Sequence, residues 1–99
     1  MEILTADEQK AIYELQYVLD LSGFRHNIAY DVIGIQSPAV FSMKRSPGTR
    51  QLHYEAIVAM TECIKEELAT GKYPSCIDRE HEQEQLQKLF DAWRERHAI

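Results

Sequence analysis

Between Val32 and Tyr54 the chain carries no aspartate or glutamate, although 16 acidic residues occur elsewhere in its 99 residues. The same window holds Lys44, Arg45 and Arg50, with Gln36, Ser37, Phe41 and Ser42 close by. Contact with a polyanion depends on the field at the contact surface and not on net charge, so carboxylates have to be kept out of that surface. The side-chain types also suit base edges. Glutamine bonds adenine in bidentate fashion, arginine bonds guanine, serine serves either, and an aromatic ring can touch a thymine methyl. These residues are the candidates for duplex DNA contact.

Other groups with chemical potential fare less well. Glu80-His81-Glu82-Gln83-Glu84, with Asp78 one turn before His81, offers metal-ligand types. Acidic residues at a helix start are already favoured by the positive end of the helix dipole, and a metal site needs ligands converging in a protected pocket. Cys63, Cys76, His53 and His81 show no recognisable zinc spacing. Cys63 falls in an apolar helical stripe and reads as a small buried hydrophobe. No glycine-rich phosphate loop and no interpretable Ser-His-Asp set is visible, so no catalytic residue, cofactor or metal is assigned and the chain does not read as an enzyme.

The candidates must be positioned by helices. Thr5-Ala6-Asp7-Glu8 has the capping-box pattern, Ile12, Leu15, Val18, Leu19 and Ser22 make one apolar face, and Gly23 can end the helix in a left-handed conformation. A helix over residues 6–22 follows. Ser46-Pro47-Gly48-Thr49 reads as a turn, after which Tyr54, Ile57, Val58, Thr61, Ile64 and Leu68 form a stripe widened by Ala56, Met60 and Cys63. Gly71 stops that helix. A last helix from about Arg79 to His97 carries its apolar residues, Leu86, Leu89, Phe90 and Trp93, in its later half. Its earlier half, Arg79 to Gln85, has none and should face solvent or a polar edge.

The middle admits two foldings. As strands, Asn27–Gln36 and Ala39–Lys44 would form a hairpin closed at Ser37-Pro38, favoured by the β-branched Ile28, Val32, Ile33, Ile35 and Val40. Asp31 would then share a face with Ala29, Ile33 and Ile35, a poor place for a carboxylate if that face is buried. As helices, Asn27–Ile33 stops at Gly34, Ser37 becomes an N-cap, Pro38 takes the first helical position, and Val40 and Met43 follow at i and i+3. Helices are the preferred reading.

Read so, Ala29 through Arg45 resembles the helix-turn-helix of phage repressor and Cro-type regulators over roughly residues 26–60. Ile33, Gly34 and Ile35 stand where that family has an apolar residue, a turn glycine and a second apolar residue, and Val40 and Met43 match the inner positions of the second helix. Tyr30 departs from the family, which prefers a small residue there. The resemblance implies that Gln36, Ser37, Phe41, Ser42 and Arg45 face the major groove, with Lys44 and Arg50 near phosphates. It also implies a two-fold pair, for which Leu86, Leu89, Phe90 and Trp93 could supply the subunit contact unless they fold back onto the domain.

Length and charge bound these readings. The composition, 44% apolar, fits one core. The net charge of −5 divides into −4 over residues 1–22, +3 over 23–53, −2 over 54–74 and −2 over 75–99. Two unpaired cysteines, an acidic N-terminus and no long apolar run point to a cytoplasmic protein with no membrane span. The expectation is therefore an all-α domain, with a helix-turn-helix unit over 1–74 and a C-terminal amphipathic helix over 75–99. Its expected function is sequence-specific binding of duplex DNA as a homodimeric repressor. The alternative is an α+β domain with a central hairpin at 27–44, acting as a small acidic inhibitor or adapter that binds a protein partner and not DNA.

Overall fold

The computed structural model describes residues 4–35 and 47–98, and these form an all-α fold. Helix α1 spans Ala6–Ser22, α2 His26–Val32, α3 Pro47–Leu68 and α4 Glu82–Arg96, with a 3₁₀ turn at Arg79–His81 leading into α4. Among the described residues there is no strand. The first arm of the alternative hairpin is mostly α2, so the α+β reading fails there. Burial gives the reason. A strand would have placed Asp31 beside Ala29 and Ile35, whereas the helix leaves Asp31 exposed while Ala29 and Tyr30 turn into the core.

Helix α1 starts as its sequence dictates. The Glu8 amide donates to Thr5 Oγ1 at 3.1 Å, and the Thr5 amide donates to Glu8 Oε1 at 2.9 Å. It ends at Gly23, whose φ of 87° lies in the left-handed region and whose amide donates to the Leu19 carbonyl at 2.9 Å. Glycine is doubly required here. A Cβ on Gly23 would stand 2.7 Å from Pro74 Cβ, because the connection between α3 and α4 folds back over this corner.

Helix α3 begins earlier than the turn expected at Ser46–Thr49 allows, since Pro47, Gly48 and Thr49 are its first turn. A proline at the first helical position lacks an N–H that the helix would leave unpaired anyway, and its fixed φ is already helical. The buried face of α3 is Ile57, Met60, Thr61, Cys63 and Ile64. Thr61 is accommodated by donating its hydroxyl to the Ile57 carbonyl at 2.8 Å. Val58, placed in the stripe by sequence, is instead exposed.

The core lies where α1 packs along α3 while α4 closes over α2 and α3. Leu15 and Leu19 of α1, Ile57 and Met60 of α3 and Leu86 of α4 are fully buried within it. Each such side chain contributes about 1.5 to 3 kcal/mol relative to exposure. The connection after α3 is fastened by Tyr73, whose ring lies 5.4 Å from that of Phe24, and by Ile77.

The polar first half of the last helix does not simply face solvent. Glu82 is buried at 2% exposure and accepts from the Arg25 amide at 2.7 Å, from Arg25 Nε at 3.1 Å and from Arg79 Nη1 at 2.8 Å. Both arginine side chains remain about half exposed, so their charges neutralise the carboxylate from the rim while keeping much of their own hydration. Burial alone would push the Glu82 carboxyl up, but the Arg25 amide and the two guanidinium groups outweigh it and hold the group below the usual carboxylate range. Through this acid, α4 is tied to the start of α2.

Candidate functional site

The candidate site begins at the end of α2. Gly34 has a φ of 75° and its amide donates to the Asp31 carbonyl at 3.1 Å, while the Ile35 amide donates to the Tyr30 carbonyl at 2.8 Å. This pair of bonds is the Schellman closure, which reverses the chain and satisfies carbonyls that the helix end would leave open. Ile35, just past the glycine, is 1% exposed, and Ala29 is fully buried. The corner is thus fixed by a hydrogen-bond pattern and anchored by an apolar side chain on its far side.

Tyr30, which occupies the position where the resembled family prefers a small residue, is also buried. Its ring is part of the core, and desolvation pushes its phenol above the ordinary range. Bulk at this position is absorbed by the core of this chain.

Of the residues expected to contact DNA, Gln36, Ser37, Phe41, Ser42, Lys44 and Arg45 lie outside the described residues, as do Val40 and Met43. Arg50 is described. It sits in the second turn of α3, and its Nε and Nη2 reach the two carboxylate oxygens of Glu8 at 2.5 and 2.6 Å. Glu8 is 6% exposed, and its carboxyl is lowered to about 2, chiefly by the hydrogen bond from Arg50, with burial opposing and the Thr5 amide assisting. The guanidinium therefore joins α1 to α3, and a phosphate near Arg50 would have to compete with a carboxylate already in place. Thr5, Asp7, Glu8, Arg50, Gln51 and Tyr54 surround a hollow of about 300 Å³ beside this pair. His53 is half-buried on α3.

The aromatic and aliphatic stripe of α4 packs inward. Leu86 is fully buried and Phe90 is 5% exposed, while Leu89 and Trp93 are half-buried against the same core. The Trp93 indole N–H donates to Glu66, and its ring stacks on His97 at 4.2 Å. This is the folded-back arrangement, in which the stripe stabilises its own domain.

Asp78, Glu80 and His81 bring ligand-type atoms within 4.8 Å of one another, all exposed. Capping accounts for the grouping. Asp78 accepts from the Glu80 amide at 3.1 Å to cap the 3₁₀ turn, and its other oxygen is 3.0 Å from His81 Nδ1. Cys63 is buried and its thiol is pushed up to about 12, first by desolvation and then by the charge of Glu67, which keeps it a protonated, packed side chain at neutral pH. Among the described residues, no helix is long and apolar enough to cross a membrane.

Sequence reasoning missed both buried acids as packing elements. It found Glu8 as a cap but not its arginine, and it set Glu82 in a stretch expected to face solvent or a polar edge. Comparison with family models, with curated proteins and with solved structures finds no match to this chain.

Proposed function

We propose that the chain is a regulator that binds duplex DNA through the segment following the Gly34 corner and acts by occupying its site, without catalysis. The observation that carries the proposal is the corner. Helix α2, the left-handed Gly34 and the buried Ile35 form a rigid exit into the carboxylate-free stretch that contains Gln36, Ser37, Phe41, Ser42, Lys44 and Arg45. A fixed exit matters because base readout needs side chains held in one register on the groove. In this proposal Gln36 and Arg45 read base edges, Ser37, Phe41 and Ser42 line the groove, and Lys44 meets phosphate. Pairing of two copies through Leu86, Leu89, Phe90 and Trp93 is not part of it, since Leu86 and Phe90 fill the core of a single chain.

Titration of pooled genomic duplexes by gel shift over a salt series tests the reading. Log affinity should fall linearly with log salt, by about 0.9 for each phosphate neutralised. Arg45→Ala or Gln36→Ala should cost about 1 to 3 kcal/mol on the preferred sequence and flatten the discrimination among sequences. Arg50→Ala is a poor probe, because it also removes the partner of Glu8. Failure to retard any duplex at low salt overturns the proposal.

A further inference from the structure

The end of α4 is held to α3 through one carboxylate. Glu66 of α3 accepts from the Trp93 indole N–H through Oε2, stands 3.3 Å from His97 Nε2 through the same oxygen, and stands 3.7 Å from Arg96 Nη2 through Oε1. His97 caps the helix, its ring stacked on the indole with centroids 4.2 Å apart. Its other ring nitrogen, Nδ1, lies 2.8 Å from the Trp93 carbonyl oxygen, one of the carbonyls that a helix end leaves open.

Both nitrogens of this imidazole therefore face acceptors. Neither a carbonyl nor an ionised carboxylate can donate, and a neutral imidazole has one N–H and one lone pair. Whichever tautomer it takes, the neutral ring sets a lone pair against an oxygen. The imidazolium donates to both, and its charge suits the negative end of the α4 dipole. His26 and His81 differ here. Each meets a carboxylate through one nitrogen, Asp20 at 2.8 Å and Asp78 at 3.0 Å, and a neutral tautomer can donate there.

The charges around the ring are fixed where histidine changes its own. Carboxylates and guanidinium groups as classes stay ionised across the interval in which histidine titrates, about pH 5 to 8. Glu66 and Arg96 belong to these classes, and the buried Cys63 thiol on α3 is pushed up to about 12. Of the other charged groups on these stretches, Glu62 pairs with Lys65 at 3.5 Å, Glu67 accepts from Tyr73 at 3.2 Å, and Arg94 lies over the Phe90 ring.

We infer that His97 is a pH-sensitive latch, whose protonated ring fastens the last turn of α4 to Glu66 of α3. Loss of the proton on the alkaline side loosens that turn and the Trp93 indole with it. The inference does not depend on DNA binding.

The indole N–H of Trp93, the one tryptophan of the chain, reports on the latch, because it exchanges with solvent when its bond to Glu66 opens. Comparing the full chain with His97→Gln at the same pH removes the intrinsic pH dependence of exchange. The variant should exchange faster than the parent. The ratio of the two rates should be about two- to fivefold larger near pH 5 than near pH 8, the range that an exposed ion pair supports. In a Glu66→Gln background the same comparison should show no such dependence on pH, since the amide oxygen still takes the indole N–H but carries no charge. Far-UV circular dichroism should match the parent in these variants, because Glu66 and His97 are each 44% exposed. A rate ratio that stays constant with pH overturns the inference. So does a pH dependence that persists in the Glu66→Gln background, or one that His26→Gln or His81→Gln reproduces at Trp93.

Discussion

Arg50 lies across both carboxylate oxygens of Glu8, a residue 42 positions earlier in the chain, and so clamps α3 to the capped first turn of α1. The same carboxylate accepts from the Thr5 amide, so one acid closes a helix end and a helix pair together. Removing the guanidinium would leave Glu8 buried with only its cap.

The pair makes stability depend on acid pH with a definite sign. The folded-state Glu8 pKa of about 2 lies below its ordinary 4.5, so the contribution is fully present above pH 4.5 and is lost as pH falls towards 2. Its size is about 3 kcal/mol. Urea unfolding of the parent should weaken over that window, with Glu82 and Asp78, also lowered, adding to the slope. Glu8→Gln should start less stable at pH 7 and show a shallower decline. An unchanged acid slope in Glu8→Gln would remove the carboxylate from this account.

Glu82 links elements 57 residues apart by accepting from the Arg25 amide. Glu82→Ala should cost about 1 to 3 kcal/mol, because it strands a backbone donor while two half-exposed arginines can rehydrate. Glu82→Gln keeps an acceptor for that amide and should cost less. Denaturant midpoints of the two variants rank these expectations, and a double-mutant cycle with Arg79→Ala separates the charge contribution from the amide bond.

Gly23 and Gly34 both have left-handed φ values, 87° and 75°, but among the described residues only Gly23 has a crowding neighbour. Gly34→Ala should cost about 1 to 2 kcal/mol from backbone strain alone. Gly23→Ala should cost about 2 to 4 kcal/mol, since Pro74 must also move. Thermal unfolding should therefore place Gly23→Ala clearly below Gly34→Ala. The reverse order would mean that the connection over α1 yields easily.

Local interactions were legible in the amino-acid order. The capping box at Thr5 and Glu8, the left-handed stop at Gly23 and the reversal at Gly34 each close between residues only a few positions apart, so residue type and spacing suffice to specify them. The helical character of residues 26–32 was harder, because Ile28 and Val32 favour strands by propensity while Asp31 argues against a strand face. Pro47 reads as a turn residue for a similar reason. A proline followed by a glycine marks a turn and a helix start alike, and only the continuation of the chain decides between them.

The sequence by itself favoured helices while leaving a central hairpin open, and it determined the helix caps and the acid-free window before Tyr54. Tertiary structure buried the face of α1 that the spacing marks, Leu15, Val18 and Leu19, but decided that Val58 of α3 stays outside. It also decided that Glu8 meets Arg50 and that Glu82 meets Arg25. Periodicity and capping are properties of one helix, whereas the choice of buried face and of ion-pair partner depends on which other helices are available to cover it.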